Sequence, residues 1–250
     1  MALPPAREIE AATLSAWPAL QVAHDGLWLW RGSRGYTKRA NAIHCLDPSD
    51  DGNADARLAR MAAFSRQNNL PPVFRVTPLT GPGVIAALDR AGWTEFEPSR
   101  VLAIEMPAAD WPVAARVRLL DHRDPVWRHA QAEMSNYDQK TIETLEALLA
   151  IMVCDSRGVL AYNADGLPAA AALASVANGI GTFVNVVART SERGRGYGRA
   201  VVAAALNWTR EAGAGQAAIQ VLGANDKAIS LYTSLGFSEV YRYHYRKLAA

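Results

Sequence analysis

Only two cysteines occur in 250 residues, Cys45 and Cys154, far apart and with no C-x-x-C spacing. That scarcity excludes a disulfide framework and a cysteine-based zinc site, and the expectation is two buried free thiols in a reducing compartment. Net charge is nearly absent: 26 Lys and Arg stand against 24 Asp and Glu, a formal +2. A chain so balanced has no global field to attract nucleic acid or an anionic membrane, and no helix-turn-helix signature is present. The five histidines (His24, His44, His122, His129 and His244) are scattered, with no pair at metal-ligand spacing, so no metal is expected. Long apolar runs are missing too. The longest, 167–187, is broken by Pro168, Ser175, Asn178, Gly179 and Gly181, and reads as two strands and a turn. Residues 1–10 lack the basic start and apolar core of a secretory signal, so no membrane segment and a cytoplasmic protein are expected.

What the chain does have is a hydrophobic half, enough for a sizeable core in one large or two small domains. Its most pointed local feature is Arg193-Gly194-Arg195-Gly196-Tyr197-Gly198-Arg199. It follows the apolar run Thr182–Ala188 and precedes apolar residues at helical spacing (Val201, Val202, Ala205, Leu206, Trp208). Glycines at alternate positions let the backbone turn sharply and bring its N–H groups close to a ligand. The first turn of the helix adds unpaired donors and the positive end of the dipole. With Arg189, Arg193, Arg195 and Arg199 around it, the segment reads as a cradle for a phosphorylated ligand. It is not a Walker loop, because Arg199-Ala200 follows Gly198 where Lys-Ser/Thr is required. A dinucleotide fingerprint fits poorly: Arg199 takes the third glycine's place, and the next strand, 216–222, runs into Leu222-Gly223-Ala224 with no acidic residue for a ribose.

The pattern that fits is R-x-x-G-x-G, from Arg193 to Gly198. It resembles the pyrophosphate loop of the Gcn5-related N-acetyltransferase (GNAT) family. A second segment resembles that family's other signature: Asn225, a helix carrying Tyr232, then Leu235-Gly236-Phe237 entering a strand. The resemblance implies a GNAT fold, a mixed central sheet flanked by helices, occupying 113–250. The elements expected there are a strand at 115–120, helices at 125–134 and 139–153, a hairpin of 159–162 with 169–176, and terminal strands at 239–248. The alternation of strands and helices argues independently for a mixed α/β sheet.

The same resemblance implies acetyl-CoA as co-substrate and acetyl transfer to a primary amine. Backbone N–H groups of Gly194, Arg195, Gly196, Tyr197, Gly198 and Arg199 would hold the diphosphate, with charge-assisted contacts from Arg193, Arg195 and Arg199. Val186, Val187 and Ala188 would pair with the pantetheine arm as an added strand does, and polarise the thioester carbonyl. Asn225 is expected to cap its helix and, by resemblance, to contact the cofactor. Tyr232 is the candidate general acid, since a phenol with a reference pKa of about 10 carries its proton at neutral pH. The general base stays open. Gln220 stands where some relatives have glutamate, Asn185 is unsuited, and a water relay or Glu133 remain. The acceptor, a small-molecule or peptide amine, stays open among polyamines, aminoglycosides, amino acids and protein N-termini, and a homodimer is compatible with the chain. A catalytically silent acyl-CoA sensor is the alternative from another class.

The N-terminal half carries an internal echo. Residues 85–96, with Gly92-Trp93, align without gaps on 229–240, with Gly236-Phe237. This suggests an incomplete GNAT-like unit at 1–107, joined through the linker Pro107–Pro112. Leu88 stands where Tyr232 stands, and the stretch before the expected helix 55–67 is the acidic Ser49-Asp50-Asp51-Gly52-Asn53. That half is therefore expected to bind no coenzyme A. A hairpin of 27–31 with 36–45 and a strand at 73–76 complete it. Gly35–Asn41 reads as a solvated strand flanking a turn, with a place facing the acceptor pocket as the alternative.

Overall fold

Helix starts in the C-terminal half follow from local chemistry. The side chains of Asp124, Asp138 and Asn225 each accept a hydrogen bond from a backbone N–H in the first turn that follows, and so cap three helices. The computed structural model describes residues 3–248. Met1, Ala2, Ala249 and Ala250, which belong to the expected units 1–107 and 113–250, lie outside the described residues. In chain order the elements are α1 (Ala6–Ala16), β1 (Gln21–Asp25), β2 (Trp28–Gly32), β3 (Ile43–Cys45), α2 (Ala54–Gln67), β4 (Val73–Val76), α3 (Pro82–Arg90) and β5 (Trp93–Glu105). Then come β6 (Arg116–Asp121), α4 (Pro125–Ser135), α5 (Gln139–Ala150), β7 (Asp155–Tyr162), β8 (Pro168–Ala177), β9 (Ile180–Ala188), α6 (Tyr197–Glu211), β10 (Gln216–Leu222), α7 (Asp226–Ser234) and β11 (Ser238–Leu248).

All the strands join one mixed sheet in the order β1-β2-β3-β4-β11-β5-β10-β9-β8-β7-β6. The two parallel pairs, β3 with β4 and β9 with β10, are each bridged by a helix (α2 and α6), as a parallel connection requires. The sheet runs unbroken across the segment 107–112, because the long final strands trade places. β5, from before that segment, pairs antiparallel with β10; β11, from the end of the chain, pairs antiparallel with β4; and β5 and β11 pair with each other at the centre. The echoed sequences are the two helix-strand units of this exchange, α3–β5 and α7–β11.

The strands behind the cradle are buried on both faces. β8 is an alanine-rich run, Ala169 to Ala174, with every residue at 0 % exposure. A continuous apolar run rather than an alternating one is what a strand covered on both sides requires. On β7 the alternation still sorts the faces: Val159 and Ala161 join the core under α6, whereas Leu160 and Tyr162 join the core under α4 and α5. Gly158 lies flat against the fully buried indole of Trp127, where a Cβ would fall inside contact distance of three ring atoms. The Trp127 indole N–H, which donates to the Ala172 carbonyl at 2.9 Å, holds the ring in place. Gly158→Ala is therefore expected to lower stability by about 1–3 kcal/mol through overpacking, read as a lower urea midpoint at unchanged m-value.

The mixed sheet flanked by helices is the fold class expected from sequence. Several local expectations are corrected. Residues 6–16, for which no local signal predicts an element, form a helix, α1. The strand at 28–32 pairs with β1 as well as with β3, and only Ile43–Cys45 of the stretch 36–45 is strand. The terminal strands at 239–248 are a single strand, and the helix expected to reach 153 ends at Ala150. Cys45 is buried, but Cys154 is only half-buried and donates weakly to the Ser15 carbonyl at 3.5 Å.

Candidate active site

β9 and β10 begin as hydrogen-bonded neighbours and then part. Their pairing stops at Phe183 and Ile219, although β9 continues to Ala188 and β10 to Leu222. The cause lies in β9. Between the pairs Leu173–Val184 and Ala171–Val187, β8 advances two residues and β9 three, and Asn185 sits at φ 53°. This extra residue is a bulge, which bends the strand and re-aims the backbone beyond it. Val187 and Ala188 stay paired with β8, and Val186, Val187 and Ala188 line the open side towards β10. A cleft fills the gap. One part, about 870 Å³, runs beside the 193–199 loop and the start of α7; the other, about 400 Å³, runs on to Tyr232 and Gln220. Val186–Ala188, Gly198, Asn225, Ala228 and Leu231 line both parts.

The cradle has the geometry its glycines demand. Gly194 and Gly196 have φ of 78° and 86°, in the left-handed region that other residues adopt at a cost. Apart from its immediate chain neighbours, no atom of the described residues lies within 4 Å of where a Cβ would stand on either, so the space above the turn is open to a ligand. Gly196 is the N-cap of α6 and offers no side-chain acceptor, which leaves the N–H groups of the first helical turn without partners inside the helix. These orphaned donors, at the positive end of a 15-residue helix, fit a diphosphate. Glu192, 9 % exposed, braces the loop from below: Asn163 donates to one of its carboxylate oxygens at 3.2 Å and Arg195 pairs with the other at 3.2 Å.

The arginines divide by partner. Arg199 donates to the Ser234 hydroxyl at 2.7 Å and so ties α6 to the end of α7. Arg189 pairs with Glu133 at 2.7 Å. Arg193 is exposed, lines the larger part of the cleft and has no ion pair among the described residues. Asn225 accepts from the Ala228 N–H at 3.2 Å, capping α7 at the mouth of the cleft. Tyr232 lines the smaller part, 5 % exposed, with its hydroxyl bonded to no group among the described residues. Burial pushes its phenol up to about 12, against the opposing field of Arg39. Glu133 is removed as a base candidate: the hydrogen bond from Arg189 holds its carboxyl below the usual range. Gln220 is engaged on both sides, accepting from Arg75 at 3.4 Å and donating to Thr13 at 3.3 Å.

Residues from the N-terminal half reach this site, against the reading of Gly35–Asn41 as a solvated strand. Asn41 clasps the loop. Its amide oxygen accepts from the N–H groups of Ser33 and Gly35, and its amide nitrogen donates to the carbonyls of Tyr36 and Thr37, all within 3.0 Å. So held, Tyr36 donates to Asn185 at 3.2 Å and shares a hydrogen bond of 2.9 Å with Tyr137. Burial, followed by the field of Tyr137, pushes the Tyr36 phenol well above its ordinary value. Arg39 lines the smaller part of the cleft with Tyr232. The signal that could have found these residues is the cluster of turn formers around one aromatic, Gly35-Tyr36-Thr37 with Asn41 to satisfy the turn. Among the described residues no group of three or more His, Cys, Asp or Glu could hold a metal ion, and no helix is long and apolar enough to cross a membrane.

Known proteins agree with this architecture. A curated protein of Bacillus subtilis (strain 168), the uncharacterized N-acetyltransferase YobR, is 25% identical over 250 residues, spanning 96% of this chain and 97% of that protein. A GCN5-related N-acetyltransferase from Kribbella flavida superposes with a TM-score of 0.75 at 18% identity, covering 98% of this chain and 96% of that one. A tandem GNAT protein from the clavulanic acid biosynthesis pathway superposes with a TM-score of 0.67 at 13% identity, over 98% and 88%. The family model described as "Probable histone acetyltransferase Rv0428c C-terminal" matches residues 5–246. With nearly the whole chain inside that match, a split β9–β10 pair and a glycine cradle at the head of α6, the chain belongs to this family, within the GNAT superfamily of acyltransferases.

Proposed function

We propose that the protein transfers an acetyl group from acetyl-CoA directly to a primary amine. The observation that carries this reading is the alignment of three features along one cleft: free N–H groups at the start of α6, unpaired strand edge at 186–188, and a buried, protonated phenol at its far end. The donor supplies an activated carbonyl and a thiolate leaving group; everything else falls to the chain. The turn 194–199 grips the diphosphate through backbone donors and the helix dipole, with Arg193 adding charge at the rim. Val186–Ala188 accept the pantetheine amides as an extra strand, which fixes the thioester beside Tyr232. A β9 N–H polarises the carbonyl oxygen as the amine attacks. Tyr232 then donates its proton to the departing sulfur. No carboxylate among the described residues lines the smaller part of the cleft, so the proton lost by the amine passes to water through the open mouth, and water returns a proton to the Tyr232 phenolate.

On this reading 1–107 is the half without a cofactor loop. The turn before α2 carries Asp50, bound to Arg57 at 2.7 Å, where the other half has its glycine cradle, and carboxylates there repel a diphosphate. The half serves instead to wall the acceptor pocket through Tyr36 and Arg39.

Tyr232→Phe tests the acid. The expected result is a fall in kcat of about 100-fold or more, the scale of lost general acid catalysis, with acetyl-CoA affinity unchanged. A phenol raised to about 12 keeps its proton throughout the neutral and mildly alkaline range, so the wild-type kcat should show no alkaline loss from this group below pH ~10. Full activity in the phenylalanine variant would remove the acid role. Tight acetyl-CoA binding with no turnover across a broad amine panel would favour the silent sensor, which the lack of a carboxylate among the described residues lining the smaller part of the cleft allows.

A further inference from the structure

We propose that the acceptor is an amine that also carries a carboxylate, and that Arg39 is the group that recognises it. The inference rests on the acetyltransferase reading and narrows its acceptor class. Arg39 stands in a short 3-10 turn, Lys38–Ala40, whose backbone is held in place: its carbonyl accepts from Arg31 at 2.8 Å, and Asn41 clasps the residues just before it. The backbone is fixed, yet the half-buried guanidinium has no carboxylate or carbonyl partner among the described residues. Other partly or fully buried arginines are matched: Arg57 by Asp50, Arg75 by Glu10 and Arg189 by Glu133. Arg39 is left over, and it stands where two pockets meet.

The first pocket is the smaller part of the cleft, with Tyr232. The second, about 290 Å³, lies beyond β10 and is walled by Ser99, Tyr243 and Tyr245. Arg39, Gln220 and Leu222 border both. The guanidinium field reaches the phenols of Tyr232 and Tyr245, which lie in different pockets. Among the described residues the one carboxylate lining the second pocket is Glu97, and it is neutralised by Lys38 at 2.9 Å. The uncompensated charge at the junction is therefore positive. A polyamine or aminoglycoside would meet a like charge there. A carboxylate would find a planar fork of donors already partly desolvated, which makes strong charge-assisted pairs. A molecule spanning the junction puts its amine beside Tyr232 and its carboxylate on Arg39.

The experiment uses the full chain, acetyl-CoA and acceptor pairs that differ by one carboxylate: phenylalanine against phenethylamine, and lysine against cadaverine, followed by thiol release. Calorimetry with acetyl-CoA is run first. The expected result is a kcat/KM about 10-fold or more higher for the carboxylate member of each pair, the scale of one hydrogen-bonded charge pair. Arg39→Gln should bring each ratio to within about 2-fold, and Arg39→Glu should reverse it in favour of the diamine. The wild-type ratios need no variant, so a folding defect cannot decide the outcome. Acetyl-CoA binding without a carboxylate preference, a preference for phenethylamine or cadaverine, no turnover of any pair member, or a preference that survives Arg39→Gln would each overturn the inference while leaving the donor reading in place. Absence of acetyl-CoA binding would overturn both.

Discussion

Gly196→Asp is expected to weaken acetyl-CoA binding by about 100-fold or more, measured by calorimetry, because it combines left-handed strain with the loss of charge-assisted contacts. Gly196 sits at φ 86° and caps α6, and the space where a side chain would begin is empty. An L-residue forced into that region costs about 1–2 kcal/mol, and an escape from the strain would swing the first N–H groups of α6 off their common focus. The carboxylate then stands where the diphosphate charge belongs, at the one place where the helix dipole had favoured an anion. Gly196→Ala separates the two causes, since it keeps the strain without the charge and should fall between wild type and Gly196→Asp. Unchanged affinity in Gly196→Asp would show that the diphosphate lies elsewhere, and the proposed function would fall with it.

Glu10→Ala should be the most destabilising single change in the N-terminal half, by about 3–5 kcal/mol, because it strands a buried guanidinium. Arg75 is 1 % exposed and Glu10 3 %, and the two form an ion pair across α1 and β4. Tyr241 on β11 donates to the other Glu10 oxygen, and the Arg75 guanidinium stacks 4.0 Å over the Tyr243 ring. Burial is the largest influence and opposes the charge on Arg75, but the Glu10 carboxylate together with Tyr243 and Tyr245 holds the guanidinium above its ordinary pKa. The pair thus pins α1 onto the seam where β4, β11, β5 and β10 meet. For a chain of this size the loss corresponds to a fall in Tm of about 6–20 °C. Glu10→Leu with Arg75→Met should recover most of it, since an apolar pair of similar volume avoids the desolvation that the ions carry. A loss below 1 kcal/mol in Glu10→Ala would mean that water reaches Arg75. Arg75 also donates to Gln220, so the single variant should disturb the acceptor side of the cleft as well.

The cradle was legible because its physics is local. Two left-handed glycines, a helix start without a side-chain cap and an apolar strand upstream all lie within about twenty residues, and each constrains the backbone whatever packs around it. The cap at Asn225 is legible for the same reason. α1 was not, since Ala6–Ala16 has no capping side chain at its start and owes its helix to burial of Ile9, Ala12 and Ala16 against strands far along the chain. The split between β9 and β10 was legible only as a motif. Its cause is one residue too many opposite β8, and a bulge is visible only when both strands are in register.

The amino-acid sequence by itself determined the glycine turn at the head of α6, the helix caps, the apolar strands of the sheet and the absence of a carboxylate at position 220, because each depends on neighbours a few residues away. Tertiary structure alone decided three things: that β5 and β11 change places across 107–112, that Tyr36 meets Asn185 and Tyr137, and that Arg39 beside Tyr232 has no partner among the described residues. These contacts join residues more than a hundred positions apart. Which side chain finds a partner at that range, and which stays charged and free, is set by how the sheet closes and not by any local preference of the chain.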